Sequence, residues 1–144
     1  MIHRKLSLQS VLFTGRDQAE ASAGWPHWAV ISITESDDRP AALKDGWHSV
    51  LRLQFDDIDA PEQPYVLFSP AQAGQVIDFV TSVHDSTRVE GILVHCRAGI
   101  SRSAAVAKWI AERYGLPYPA GYAHYNKHVY STLRLAVFER HFGV

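Results

Sequence analysis

Gly91-Ile92-Leu93-Val94-His95-Cys96-Arg97-Ala98-Gly99-Ile100-Ser101-Arg102-Ser103 is the stretch on which the reading of this chain turns. Its opening, within the run Val89 to His95, is continuously apolar and reads as a central strand buried on both faces. A helix from about Arg102 to Tyr114 follows, with Ala107, Ile110, Ala111 and Tyr114 on one face and Gly115 suited to its carboxyl cap. Between strand and helix, a tight loop turns successive backbone N–H groups inward and makes a nest for a tetrahedral anion. Gly99 supplies the backbone freedom and close approach that such a nest needs. The helix adds about +0.5 elementary charge at its amino end. A thiol at such a place is favoured as thiolate, so Cys96 reads as a nucleophile. Arg102 lies six positions on, where the loop can curl its planar guanidinium over the anion and grip two oxygens. Ser101 and Ser103 can donate hydroxyl hydrogen bonds to the thiolate or to loop carbonyls.

Working outward, Lys5 to Phe13 reads as a first strand and Gln18 to Ala23 as a short helix. Trp28 to Ile33 reads as a buried strand and Trp47 to Phe55 as an alternating one. Thr34 to Pro40 has loop chemistry, with Asp37 and Asp38 as turn residues. The acidic stretch Asp56-Asp57-Ile58-Asp59 ends the Trp47–Phe55 strand in a loop. Ser69 and Gln72 fit a capping box with Pro70 at the first helical position, and Val76, Phe79, Val80 and Val83 share one face of the helix they open. A last helix is expected from near Asn126, with Val129, Leu133, Ala136 and Val137 inward. Trp25, Trp28, Trp47 and Trp109 read as core or half-buried aromatics. Strands alternating with helices give an α/β fold, a central, mostly parallel sheet flanked by helices, in which ligands bind beyond the carboxyl ends of strands. Cys96 stands at such an end. No linker is visible, so residues 1–144 are expected to form a single domain.

The bulk composition narrows the function. A net charge of −1 over 144 residues offers no basic face for nucleic acid. No stretch approaches the roughly 20 apolar residues of a membrane span, and the Met1–Ser10 stretch lacks the apolar core of a signal peptide. The single cysteine excludes an internal disulfide and a cysteine-rich zinc site. His124 and His128 stand four apart but lack a third ligand, and read as surface or packing residues. No metal and no cofactor is expected. A soluble, cytoplasmic monomer is.

His95-Cys96, the five residues after it, Arg102 and Ser103 resemble the signature loop of cysteine-based protein tyrosine phosphatases, and the full Cys96–Ser103 run is most similar to the dual-specificity branch. Leu53-Gln54-Phe55-Asp56-Asp57 resembles that branch's general-acid segment. Asn126 with Val129, Leu133 and Glu139 resembles its closing helix, and Leu12-Phe13-Thr14-Gly15 its amino-terminal strand end. The resemblance covers nearly the whole chain, although only the cysteine loop is highly specific.

The resemblance implies hydrolysis of a phosphoester through a phosphocysteine. Cys96 is the nucleophile, Arg102 the phosphate clamp and Asp57 the general acid and base, with Asp56 its rival and Asp59 a third choice. It implies that Arg97, Ala98, Gly99, Ile100 and Ser101 line the phosphate site, that Ser103 assists the sulfur and that His95 braces the loop. The implied substrate is a phosphorylated protein or a small phosphoester. Alternatives are a phosphatase of small or lipid phosphoesters, a rhodanese-like sulfurtransferase and a non-catalytic phosphate-binding module.

Overall fold

The computed structural model describes residues 5–143. Met1 to Arg4, which open the stretch read as lacking a leader, and Val144 lie outside the described residues. The elements are β1 (Ser10–Gly15), α1 (Arg16–Ala21), β2 (Trp28–Thr34), β3 (Ser49–Gln54), α2 (Pro70–Asp85), β4 (Gly91–Cys96), α3 (Arg102–Tyr114) and α4 (Lys127–Phe142). All strand pairs are parallel, in the order β1-β4-β2-β3. The carboxyl ends of all four strands therefore share one edge, which brings together the residues after Gly15, Thr34, Gln54 and Cys96.

Every residue of β4 is buried, as its apolar run requires of an inner strand. Its side chains alternate between two cores. Ile92 and Val94 face the larger one, with Ala29, Ile31 and Ile33 of β2 and the apolar faces of α2, α3 and α4. Leu93 faces a smaller one, with Val30 and Ala19 under Trp28, Leu43 and Trp47.

The helix boundaries follow local chemistry. α2 begins at Pro70 behind a capping box in which the Ser69 side chain takes the Gln72 N–H and the Gln72 side chain takes the Ser69 N–H. α3 spans Arg102–Tyr114 and ends on Gly115 in the left-handed region, at φ 65°. α4 begins behind Asn126, whose side chain accepts from Val129 N–H, and buries Val129 and Leu133.

Three expectations need correction. The first strand is Ser10–Gly15, not Lys5–Phe13, because its partner β4 opens with Ser10 opposite Gly91. Leu6 and Gln9 instead donate to the carbonyls of Thr87 and Glu90, at 2.8 and 2.9 Å, before the ladder begins. The short helix follows at once, so it starts at Arg16 rather than Gln18. Trp25 is 40% exposed, in edge contact with Trp28 and tilted against Trp47 rather than within a core.

Candidate active site

Cys96 ends β4 and is buried. Its Sγ receives the Gly99 N–H at 3.3 Å and lies 3.1 Å from the Ser103 hydroxyl. Gly99 has φ 73°, and a Cβ there would stand 2.3 Å from the Gly15 nitrogen and 2.4 Å from the Thr14 carbonyl carbon. The loop thus folds hard against the end of β1, and no larger residue fits. Its carbonyls are claimed from outside. Arg16 N–H donates to Arg97 O at 3.0 Å and Asn126 N–H to Ser101 O at 3.1 Å, while the Tyr122 hydroxyl donates to Ile100 O at 2.6 Å. Arg97, Ala98 and Ile100 are exposed at the loop rim.

Arg102, the first residue of α3, is buried. One Nη donates to Phe55 O and the other to Glu35 Oε1, each at 2.9 Å. Its Nε is buried without a hydrogen-bond partner among the described residues. Two braces fix the plane of the guanidinium, and a donor remains for a ligand.

His95 is fully buried. Its Nε2 lies 2.6 Å from the Ser32 hydroxyl and its Nδ1 3.3 Å from the Cys96 carbonyl. Burial, only partly opposed by the bond to that carbonyl, holds its pKa below the ordinary value and keeps the ring neutral. This is a brace between β2 and the loop.

The adjacent carboxylates differ completely. Asp56 is buried and accepts from the Ser36 N–H at 3.2 Å, the Ser36 hydroxyl at 2.6 Å and the Val66 N–H at 2.7 Å. Burial alone would raise its pKa, but these bonds prevail and hold the carboxyl below its usual range. Asp57 is exposed. Its Oδ1 accepts from the Ser101 hydroxyl at 2.8 Å and from Asn126 Nδ2 at 2.9 Å, and its Oδ2 accepts no bond among the described residues. Asp57 lines a cleft of about 540 Å³ with Asp59, Ser101, Tyr125 and Asn126. The structure therefore ties Asp57, not Asp56, to the cysteine loop.

Arg97 lines a different cleft of about 930 Å³, with Arg16, Glu35, Asp38 and Arg39. Asp37 and Asp38 border it too, and Asp38 does more than turn the chain, since its Oδ2 accepts from Arg16 at 2.9 Å. His128 packs, with its Nε2 2.9 Å from Phe68 O. Four contributors went unread as site residues in the sequence: Glu35, Ser36, Tyr122 and Asn126. Asn126 alone had a signal, as the start of a helix; its side chain caps α4 through Oδ1 and holds Asp57 through Nδ2.

No family model matches the chain, and no curated protein matches it in sequence. Solved structures do. Human DUSP28 superposes with a TM-score of 0.56 at 19% identity, over 92% of this chain and 95% of its own. The human tyrosine phosphatase-like serine/threonine/tyrosine-interacting protein superposes with a TM-score of 0.54 at 18% identity, over 92% and 93%. The chain has the fold of cysteine-based tyrosine phosphatases of the dual-specificity type.

Proposed function

We propose that this chain, acting as one domain, hydrolyses phosphoesters through a phosphocysteine intermediate. The observation that carries the reading is the braced, buried guanidinium of Arg102, whose Nε has no acceptor among the described residues, in the same loop as the buried sulfur. A buried donor without a partner is costly, and a phosphoryl oxygen beside it would remove the cost.

In this reading the Cys96 thiolate attacks phosphorus. An S–P bond forms, the P–O bond to the leaving alcohol breaks, and Asp57 gives that oxygen its proton. Water then attacks the phosphocysteine. Asp57 takes a proton from it, the S–P bond breaks, and the electron pair returns to sulfur, where the Ser103 hydroxyl and the Gly99 N–H receive it. The amides of Arg97, Ala98, Ile100 and Ser101, with Arg102, hold the charged equatorial oxygens throughout, while that of Gly99 serves the sulfur. Asp57 fits the acid role because Ser101 and Asn126 fix one of its oxygens while the other stays free to carry a proton. Asp56 does not fit it, since its acceptors are already engaged.

A nucleophilic thiol suits a reducing compartment, and no helix among the described residues is long and apolar enough to cross a membrane. The reading therefore places a monomeric enzyme in the cytoplasm, with a phosphorylated protein as substrate and small or lipid phosphoesters as the alternative.

The test is phosphate release from an aryl phosphate, a phosphopeptide panel and soluble phosphoesters, beside sulfur transfer from thiosulfate to cyanide. Hydrolysis is expected, and it should vanish in Cys96→Ser and Arg102→Lys. Hydrolysis that survives Cys96→Ser, or sulfur transfer without phosphate release, would sink the reading.

A further inference from the structure

The α3–α4 connection, residues 115–126, grips the cysteine loop from outside. The Tyr118 hydroxyl donates to Ala104 O at 2.9 Å, the Tyr122 hydroxyl to Ile100 O at 2.6 Å and the Asn126 N–H to Ser101 O at 3.1 Å. Two consecutive loop carbonyls, those of Ile100 and Ser101, are thereby drawn toward one segment. Each peptide plane is rigid, so turning a carbonyl outward turns the N–H of the following residue the other way. For Ile100 O that N–H belongs to Ser101. Tyr122 thus controls the orientation of one donor of the proposed phosphate cradle from a residue 22 positions away.

The ring of Tyr122 has a second relation to the site. It is half-buried, in edge contact with Phe13 at 5.1 Å and Tyr118 at 6.2 Å. Its hydroxyl reaches the cysteine loop itself, at Ile100 O, and burial raises the pKa of the phenol above its ordinary value. Ile100, whose carbonyl it holds, is an exposed apolar side chain on the same rim. An aromatic ring and an aliphatic side chain joined at the rim of the cysteine loop form an apolar wall, which attracts a leaving group with an aromatic face more than a small polar one.

We propose that Tyr122 is a positioning and specificity residue of this site: its hydroxyl orients the loop amide that meets the phosphoryl group, and its ring forms the wall against which an aryl leaving group lies. The proposal rests on the hydrolase reading for its second half only.

Two variants separate the halves. Tyr122→Phe keeps the ring and loses the hydrogen bond. Tyr122→Ala loses both. Binding of inorganic phosphate, read by the ligand-induced shift of thermal unfolding, should weaken by about 3- to 10-fold in both variants, the loss of one hydrogen bond. The ratio of kcat/KM for phenyl phosphate to that for a small alkyl phosphate should be unchanged in Tyr122→Phe and fall about 5- to 10-fold in Tyr122→Ala, the loss of one aromatic contact. A merely structural tyrosine would lower the melting temperature and reduce both esters in parallel, leaving the ratio alone. Unchanged phosphate affinity in Tyr122→Phe overturns the positioning role. A parallel loss in Tyr122→Ala overturns the wall. If the wild-type protein binds phosphate but cleaves neither ester, the hydrolase reading and the wall fail together, while the phosphate measurements still decide the positioning role. Absence of phosphate binding by the wild-type protein overturns both roles.

Discussion

The loop from Cys96 to Ser103 and the segment from Phe55 to Asp59 meet at one site but are held in opposite ways. The loop is fixed through its backbone. Gly99 presses on β1, the carbonyl of Arg97 is taken by Arg16 at the start of α1, and those of Ile100 and Ser101 by the α3–α4 connection. The acid segment is fixed largely through side chains: Asp56 accepts three hydrogen bonds and anchors the turn, which leaves Asp57 exposed on Ser101 and Asn126. Backbone constraint gives an all-or-nothing cradle. Side-chain constraint divides the work, one carboxylate for structure and its neighbour for chemistry.

The hardest blow to this contrast is Gly99→Ala. A methyl group there must displace backbone atoms of Thr14 and Gly15, at a φ that L side chains rarely adopt. Steady-state assays should show turnover reduced by more than about 10³-fold, since several phosphate donors move at once. Near-normal turnover would mean that the loop is not fixed through its backbone.

The carboxylates come next. Asp57→Asn should lower kcat about 10²-fold with little change in melting temperature, because the amide oxygen can still accept from Ser101. Asp56→Asn should do the reverse. It leaves one of the buried donors of Ser36 or Val66 unmatched and costs about 1–3 kcal/mol of stability by denaturant titration, while turnover of the folded protein stays within a few-fold. If the two variants exchange these effects, Asp56 is the acid.

The same contrast explains what could be read without coordinates. The loop was legible because its nucleophile, glycine, arginine and helix start are contiguous, and α2 because Ser69, Pro70 and Gln72 are. The partners that hold them were not. Glu35 meets Arg102 across 67 positions and Asn126 meets Asp57 across 69, and neither residue type is distinctive by itself. Strand periodicity does not separate Asp56 from Asp57, and only the resemblance favours Asp57, because the in–out alternation of β3 breaks at its end, where Phe55 and Asp56 are both buried. The first strand misled for a related reason: Leu6 and Leu8 continue the apolar pattern, but β4 offers no partner before Gly91.

The smallest expected effect is on the pH dependence of stability, where the loop and the acid segment should lose support in separate windows. His95 has its folded pKa lowered from an ordinary 6.5 by burial, so the unfolded chain takes up a proton first. The stabilisation that this difference gives is present above about pH 6.5 and declines as pH falls from there toward the folded value. Asp56 has its folded pKa below the ordinary 3.8, so its contribution is intact above that pH and is lost as pH falls through the folded value. Glu20, Asp78 and Glu112 are also lowered and add to the acid window, so difference measurements are needed. Melting curves should show a decline beginning just below pH 6.5 that flattens in His95→Gln, and a steeper one below pH 4 that is reduced in Asp56→Asn. A His95→Gln profile parallel to wild type between pH 7 and 5 would show that the ring is not held neutral between Ser32 and the Cys96 carbonyl, and the loop would then depend on side-chain protonation as the acid segment does.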